Sequence, residues 1–261
     1  QKFYEKVIQM PVDQIEDRFG VNQEYAHLLI PAAIIYKQIL EMTGAEMLWV
    51  PGIRMCDGIA ADYAEKQKYL KFTHNFDDDI LSASRNMAKR YRCNTSHGQK
   101  IENYALQIFD AMKKFHGLGT RERLLLQIAS ILHDCGKFIS LRDSSACAYN
   151  IIMATEIIGL SHAEREIVAE VVRCNLDAFR YGEGSIRAGK LTAMLRLANA
   201  MDRSHYQKVK NMKAVLKDRT LLLTVDSEQD ISLELGLLMD KVEFFEEVFG
   251  IRLVFRRKRK V

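Results

Sequence analysis

Proline and long apolar runs are both scarce in this sequence. Only 3 of the 261 residues are proline, and helix-forming residues are abundant, which predicts a mostly helical chain. No apolar run reaches about 18 residues and no signal peptide is present, so the sequence supports neither a membrane span nor secretion.

Cysteine and net charge are also low, and each limits the function classes. The five cysteines are odd in number and none is spaced as Cys-x-x-Cys, which fits a reducing cytoplasm best. The formal net charge is only +4, too small to name a partner by itself.

The central stretch is Arg121–Lys137 (RERLLLQIASILHDCGK), whose apolar residues cover most of a helix circumference. This pattern predicts a buried helix that ends at His133-Asp134, with Gly136 placed to stop it. A buried His-Asp pair is costly unless it is satisfied. A metal ion would satisfy both groups; alternatively, His133 caps the helix end and Asp134 pairs locally.

Further helices are expected on both sides of this stretch. In His97–Phe115 the apolar residues recur at i, i+3 and i+4, which places His97 on the buried stripe, and Thr95 or Ser96 can cap the start. The remaining helices of this part are predicted at residues 146–159, 163–175 and 186–203. After residue 205 the period changes, and the pattern predicts a small β-β-α-β unit with strands at 212–216, 220–225 and 251–255 and a helix at 233–249.

The first residues differ in character from the rest. They predict a helix at Tyr25–Thr43, a short buried strand at Met47–Val50 and a helix at Ile59–Leu70, like the edge of an α/β domain. The chain opens at Gln1 without Met, and we expect a piece of a longer protein. We predict a mainly α chain with three parts, at residues 1–75, 76–205 and 206–261.

Three separated signals point to a known family: His97 on a buried face, His133-Asp134 at a helix end, and Leu195–His205 (LRLANAMDRSH) on a later helix. Their order and spacing resemble the HD superfamily, helical domains that bind divalent metal and mostly hydrolyse phosphate esters. The segments HDCGKFIS, IIMATEIIGLSHAERE and VEFFEEVFGI make the chain similar to the C-terminal half of the exopolyphosphatase/guanosine-pentaphosphate phosphohydrolase (Ppx/GppA) family.

This resemblance extends to the beginning of the chain. The segment LLIPAAIIYKQILEMTGAEMLWVPGIRMCDGIAADYA resembles the last helix, strand and turn of that family's actin-like phosphatase domain. The family's catalytic groups lie upstream of these residues. The resemblance therefore implies that this chain is the regulatory, substrate-groove and dimerisation part of an exopolyphosphatase-like protein and carries no catalytic residue of its own. The partners it implies are polyphosphate or a guanosine nucleotide, bound by the parent protein, and a second copy of the chain.

Several positions depart from the family pattern. The third signature position is Asn199 rather than a carboxylate, and a His-rich cluster is replaced by Ser144–Cys147. Cys56 stands where the actin-like tail usually has Arg. Asp202 lies one turn beyond Asn199, but the helix register disfavours its substitution as a ligand. A neutral amide offers a weak ligand, so we expect a degenerate HD site.

Two sets of site residues follow from the resemblance and its departures. The degenerate metal set is His97, His133, Asp134 and Asn199. We expect it to bind at most one divalent ion (Mn, Mg or Zn), and we favour the absence of a tightly held ion. The set expected to bind phosphate or another polyanion, by charge-assisted hydrogen bonds, is Lys137, Arg142, Arg203 and His205. The alternative for each cation is an exposed charge or a local salt bridge.

Two other functions compete with this one. An active metal-dependent HD phosphohydrolase acting on a nucleotide would use His97, His133 and Asp134 to activate water, but the missing ligands argue against it. A nucleic-acid module would use Arg85–Arg92 and the basic tail Arg256–Lys260, but the net charge is low for that and no aromatic-basic RNA motif is present.

Overall fold

The computed structural model describes residues 2–179 and 186–258. The residue contacts divide the chain into two compact units, Gln1–Phe72 and Thr73–Val261. No helix among the described residues is long and apolar enough to cross a bilayer. Of the basic tail, Arg259 and Lys260 lie outside the described residues.

Helices make up the first unit: α1 (Lys2–Val7), α2 (Val12–Phe19), α3 (Gln23–Thr43) and α4 (Met55–Lys66). The Asn22 side chain accepts a hydrogen bond from the backbone of Tyr25 and so caps α3, and Gly44 ends it in a left-handed conformation. A small core of Val7, Ile15 and Ala26 joins the first three helices. The helix predicted at Tyr25–Thr43 is confirmed.

The strand predicted at Met47–Val50 is wrong. These four residues form neither strand nor helix, and Met47 and Trp49 are each more than 80% exposed. A strand needs a neighbour to receive its backbone hydrogen bonds, and the described residues of this unit provide only helices. Apolar composition alone therefore does not make this segment a strand.

The second unit begins with a bundle of helices: α5 (Phe76–Arg90), α6 (Thr95–Ala111), α7 (Thr120–Leu132), α8 (Ser144–Ala154), α9 (His162–Cys174) and α10 (Ile186–Ala200). The buried helix predicted around the His-Asp pair is α7, which packs against α5, α6, α9 and α10. Its burial around most of the circumference places the residues at its end deep inside the unit.

The remainder of the second unit is the small α+β part that the sequence predicts. Strands β1 (Asn211–Lys217) and β2 (Thr220–Asp226) pair antiparallel, and helix α11 (Ser232–Phe249) leads to β3 (Arg252–Arg257), which lies parallel to β2. The β1–β2 turn is built on Asp218 and Arg219 in the left-handed region. Because α11 packs on α10, the core is continuous from the bundle into the sheet.

One ion pair should make the stability of the helical bundle depend on pH in the acid range. The Arg121 guanidinium bonds both carboxylate oxygens of Glu164 at 2.6 and 3.0 Å, and Ser161 donates to the same carboxylate. The Arg121 hydrogen bond is the main cause that lowers the pKa of Glu164 from 4.5 to about 2. Because the folded pKa is depressed, the stabilisation is fully present above pH 4.5 and is lost as the pH falls towards 2.

We therefore expect Glu164→Gln to remove a pH-dependent part of the free energy of unfolding. The pair is only partly withdrawn from solvent, so the difference should be on the order of 1–2 kcal/mol at about pH 6 and should vanish near pH 2. Urea unfolding across this pH range measures it. The exposed Glu166 on the same helix provides the control, Glu166→Gln; an equal pH dependence in both variants would contradict the assignment.

Candidate functional site

The first site residue lies in the first turn of α6. Asn94, and not Thr95 or Ser96, caps this helix: its side chain accepts a hydrogen bond from the backbone N–H of His97. This cap fixes where the helix starts and points His97 inwards, where it is 1% exposed. The Nδ1 of His97 bonds to Asp202 Oδ2 at 2.8 Å, and Nε2 has no hydrogen-bond partner in the part of the chain that the structure describes.

The second group follows α7. The helix ends at Leu132, and a 3₁₀ turn at Cys135–Phe138 follows, which differs from a helix that Gly136 stops. His133 Nδ1 donates to the Ser130 carbonyl at 2.7 Å. Its buried Nε2 lies 3.4 Å from Asp134 Oδ1 and has no hydrogen-bond partner within residues 2–179 and 186–258. The Lys137 ammonium lies 2.7 Å from the same carboxylate oxygen.

Gly136 has a different function from the one its sequence position suggests. A Cβ at this residue would lie 1.9 Å from the Ser144 carbonyl oxygen and 2.5 Å from the Ala148 nitrogen. Both atoms belong to the backbone of α8, so the absence of a side chain lets the turn after His133-Asp134 approach that helix. The glycine is required by space and not by a left-handed backbone.

The third group lies at the end of α10 and in the turn after it. Asn199 is buried, and its side-chain oxygen has no hydrogen-bond partner among the described residues. Asp202 is 1% exposed; besides His97, it accepts a hydrogen bond from the backbone N–H of Gln207 at 2.7 Å. The turn brings His205 over His97, with ring centroids 3.7 Å apart and planes 12° from parallel.

Electrostatics at the site favour neutral imidazoles at His133 and His205 and an ionised carboxylate at Asp134. Burial lowers the pKa of His133, and burial together with the neighbouring His97 and Lys137 lowers the pKa of His205. Burial opposes ionisation of Asp134, whereas the Lys137 ammonium against its carboxylate favours it, and the pKa of that carboxyl lies below its ordinary value. Neutral imidazole and carboxylate are the forms that bind a cation.

These donors are of the types that bind divalent cations. Among the described residues, ligand atoms of His97, Asp134 and His205 lie within 4.8 Å of one another. Within the described part of the chain, no hydrogen-bond partner is present for the buried Nε2 atoms of His97 and His133 or for the side-chain oxygen of Asn199, although buried polar atoms in folded proteins are normally paired. A cation bound here would satisfy groups that the chain leaves unsatisfied.

A cavity of about 480 Å³ opens beside these groups. It is lined by Tyr91, Arg92, Cys93, Asn94, Asp134, Lys137, Phe138 and His205. The Tyr91 and Phe138 rings meet edge to face at 5.8 Å, and the Arg92 guanidinium lies 5.8 Å from the Phe138 ring centre. Arg92 also has a left-handed backbone, and burial raises the pKa of the Cys93 thiol to about 11, so this thiol is un-ionised at neutral pH.

The structure brings some of the predicted residues together and leaves others apart. Of the expected phosphate-binding cations, Lys137 lines the cavity together with His205, whereas Arg142 and Arg203 are exposed and do not line it. Sequence reasoning did not place Arg92 at this site; it considered the residue only within the Arg85–Arg92 stretch of a nucleic-acid module. Its signal was the position two residues before Asn94, the residue that caps the His97 helix.

Comparison with known proteins places all of these groups in one family domain. Residues 81–243, more than half of the chain, match the family described as Ppx/GppA phosphatase, domain III. The chain belongs to the Ppx/GppA phosphatase family. The matched span of this Ppx/GppA chain contains every group described above, from Tyr91 to Gln207, so the resemblance that the sequence carries is confirmed.

A curated relative agrees with this assignment. The guanosine-5'-triphosphate,3'-diphosphate pyrophosphatase of Photobacterium profundum is 22% identical to the Ppx/GppA chain over 167 residues, which are 63% of the chain and 32% of the relative. The chain thus spans about a third of the length of the relative that it matches.

Proposed function

We propose that this chain is a non-catalytic, phosphate-binding and regulatory part of an exopolyphosphatase/GppA-like protein, with a degenerate HD-type cation site. The observation that carries the proposal is the cavity beside the His-Asp pair, which Lys137 and Arg92 line together with His205. The match to domain III of a phosphatase family supports a phosphorylated ligand.

Lys137 and Arg92 are the residues that we propose bind phosphate oxygens. Lys137 is 30% exposed at the side chain and lies on Asp134, so it can turn from that carboxylate to an anion in the cavity. Arg92 offers several donors from an exposed position on the same cavity. Arg142 and Arg203 lie off the cavity, and we assign them no contact with its ligand.

The cation site belongs to the same proposal. His97 and Asp134, with His133 beside them, would hold one divalent ion, and Asn199 supplies an amide in place of the usual carboxylate. When bound, the ion would offer positive charge and open coordination positions to a phosphate oxygen. Lys137, whose ammonium lies 2.7 Å from Asp134 Oδ1, would face the same ligand from the cavity wall.

A second candidate is a metal-dependent phosphohydrolase acting on a nucleotide. The aromatic pair of Tyr91 and Phe138 on the cavity favours it, because a base could pack against these rings. The amide of Asn199 at the third signature position favours the non-catalytic function, since it lacks the charge of the expected carboxylate. Formation of a homodimer stays a prediction.

Binding of tripolyphosphate tests the phosphate assignment. We expect isothermal titration calorimetry at low salt to show binding to the unaltered chain and roughly 5- to 10-fold weaker binding to Lys137→Met, because one charge-assisted hydrogen bond is lost. Arg142→Met removes the same charge outside the cavity and should leave the affinity nearly unchanged.

Circular dichroism of each variant provides the check that the fold is intact. Equal affinities for Lys137→Met and Arg142→Met would mean that net charge, and not the cavity, attracts the anion. An unaltered chain that binds no tripolyphosphate would also overturn the assignment.

A further inference from the structure

The three-stranded sheet of the second unit has two unlike faces. One face contributes buried residues from every strand, such as Met212, Leu223 and Leu253. The alternate residues form the outer face, and they are exposed or half-buried throughout. Because side chains alternate between the faces of a strand, the pairing of the strands fixes which outer residues are neighbours.

The outer face has an apolar row between two cationic rows. The apolar row crosses the strands through Val215, Leu222 and Val254. Val215 is 40% exposed, and none of these three belongs to the hydrophobic core. The flanking rows each carry a threonine on the central strand and a cation on each outer strand: Lys213, Thr224 and Arg256 in one, Lys217, Thr220 and Arg252 in the other.

The four cations of the outer face, Lys213, Lys217, Arg252 and Arg256, have no charged partner in the described part of the chain. No salt bridge or side-chain hydrogen bond is present for any of them within residues 2–179 and 186–258. Asp226, in the row beyond Lys213, is the one carboxylate among the paired outer-face residues. Four positive charges thus stand against one negative charge, and their mutual repulsion favours an anionic partner.

The spacing of these rows matches the dimensions of an α-helix. Lys213 and Lys217 are four residues apart on β1, a separation of about 13 Å, and β1 and β3 lie about 10 Å apart. A helix with its side chains is about 10–12 Å wide, and seven of its residues span about 10 Å. Because Lys and Arg are longer than Val and Leu, the apolar row forms the floor of a shallow trough with cationic walls.

We propose that the outer face of the sheet binds an amphipathic helix of a protein partner, with one apolar stripe on the floor of the trough and acidic residues on both flanks. An apolar centre with a charged rim is the usual anatomy of a protein interface. No residue that lines the cavity described above belongs to this face, so the proposal is independent of the proposed function.

Three other anionic partners fit this face less well. Inorganic polyphosphate has no apolar surface to cover Leu222. Single-stranded nucleic acid binds on aromatic platforms, and the paired outer-face residues include no aromatic ring. A lipid surface needs apolar side chains that reach past the charged ones, whereas here the apolar row is the recessed one.

Fluorescence anisotropy with a designed peptide tests the proposal. The probe is a labelled helix of about five turns, with leucine along one stripe and glutamate on both flanks. We expect it to bind the unaltered chain at low salt, and its analogue with lysine for glutamate not to bind. Lys217→Gln combined with Arg252→Gln should weaken binding about fivefold, the effect of two exposed charge pairs.

Leu222→Thr tests the apolar floor separately from the charges. Threonine also favours a strand, so the sheet should be kept, and the loss of apolar contact should weaken peptide binding at least about fivefold. All of these side chains are at the surface, so the urea midpoint of each variant should stay close to that of the unaltered chain.

Lys89→Gln combined with Arg90→Gln is the matched control, because it removes the same charge from an exposed part of α5. This variant should bind the peptide as the unaltered chain does. Equal weakening by both double variants would reduce the effect to net charge and overturn the proposal. Equal binding of the glutamate and lysine peptides, or binding of neither, would also overturn it.

Two further measurements decide against other occupants. Cosedimentation with vesicles of phosphatidylserine and phosphatidylcholine, lost in the Lys217→Gln and Arg252→Gln double variant and without peptide binding, would make a lipid surface the partner. Self-association in sedimentation velocity that the same variant abolishes would assign the face to a second copy of the chain. Either result would overturn the proposal of a helical partner.

Discussion

Gly136→Ala is expected to destabilise the second unit by at least about 3 kcal/mol, or to prevent its folding. A Cβ here would lie 1.9 Å from Ser144 O and 2.5 Å from Ala148 N, which are backbone atoms at the start of α8. A flexible side chain could move aside, but a helix backbone must shift as a body, and overpacking of this kind falls at the upper end of its usual cost of about 1–3 kcal/mol. The free energy of unfolding in urea measures the effect.

Gly98→Ala provides the matched control. Gly98 lies in α6, has ordinary helical geometry, and a Cβ there would meet nothing within 4 Å. Alanine is the better helix former, so this variant should be neutral or stabilising by up to about 1 kcal/mol. If Gly136→Ala unfolds at the same urea concentration as the unaltered chain, the close approach to α8 is wrong, and so is the placement of Asp134 and Lys137 that depends on it.

Asp202→Asn is expected to cost about 2–4 kcal/mol of the free energy of unfolding. Both carboxylate oxygens of Asp202 accept hydrogen bonds inside the protein, one from His97 and one from Gln207. Asparagine keeps the shape but turns one acceptor into an NH₂ donor, which must face another donor in a buried place. An unpaired buried polar group or a broken buried pair carries a cost of this size.

The same substitution should change the state of His97 in a way that simple destabilisation would not. In the unaltered chain the proton lies on Nδ1, and ¹⁵N NMR of the imidazole should report this tautomer. In Asp202→Asn the preference should weaken or reverse. Asp240→Asn alters an exposed carboxylate of α11 and should change the free energy of unfolding by no more than about 0.5 kcal/mol. An unchanged tautomer in Asp202→Asn would show that the carboxylate does not orient His97.

Local patterns predict much of this fold because the buried residues of a helix recur at a regular spacing in the sequence. The stripe through Ile101, Tyr104 and Ile108 placed His97 on the buried face of α6, and the structure agrees. The strand period likewise predicted β1, β2 and β3. Met47–Val50 failed because a strand depends on partners elsewhere in the chain, which its own four residues cannot reveal.

The site was harder to predict because its geometry is made by distant residues. The Asp202–His97 bond joins residues 105 positions apart, and helix register alone gave no reason to pair them. Gly136 stands where a glycine that ends a helix would stand. A glycine that lets its turn approach another helix, here α8, cannot be told from it by the neighbouring sequence. Arg142 and Arg203 were grouped with Lys137 because all three lie near the HD signature residues in the sequence. Whether a residue lines the cavity depends instead on the direction in which its turn leaves the helix.

The most direct test of the proposed function is ³¹P NMR of tripolyphosphate incubated with the chain and Zn²⁺ or Mg²⁺. We predict that the resonances shift or broaden through binding, and that no orthophosphate accumulates over several hours. Release of orthophosphate by the unaltered chain, abolished in His133→Ala, would contradict the non-catalytic function and would favour a metal-dependent phosphohydrolase.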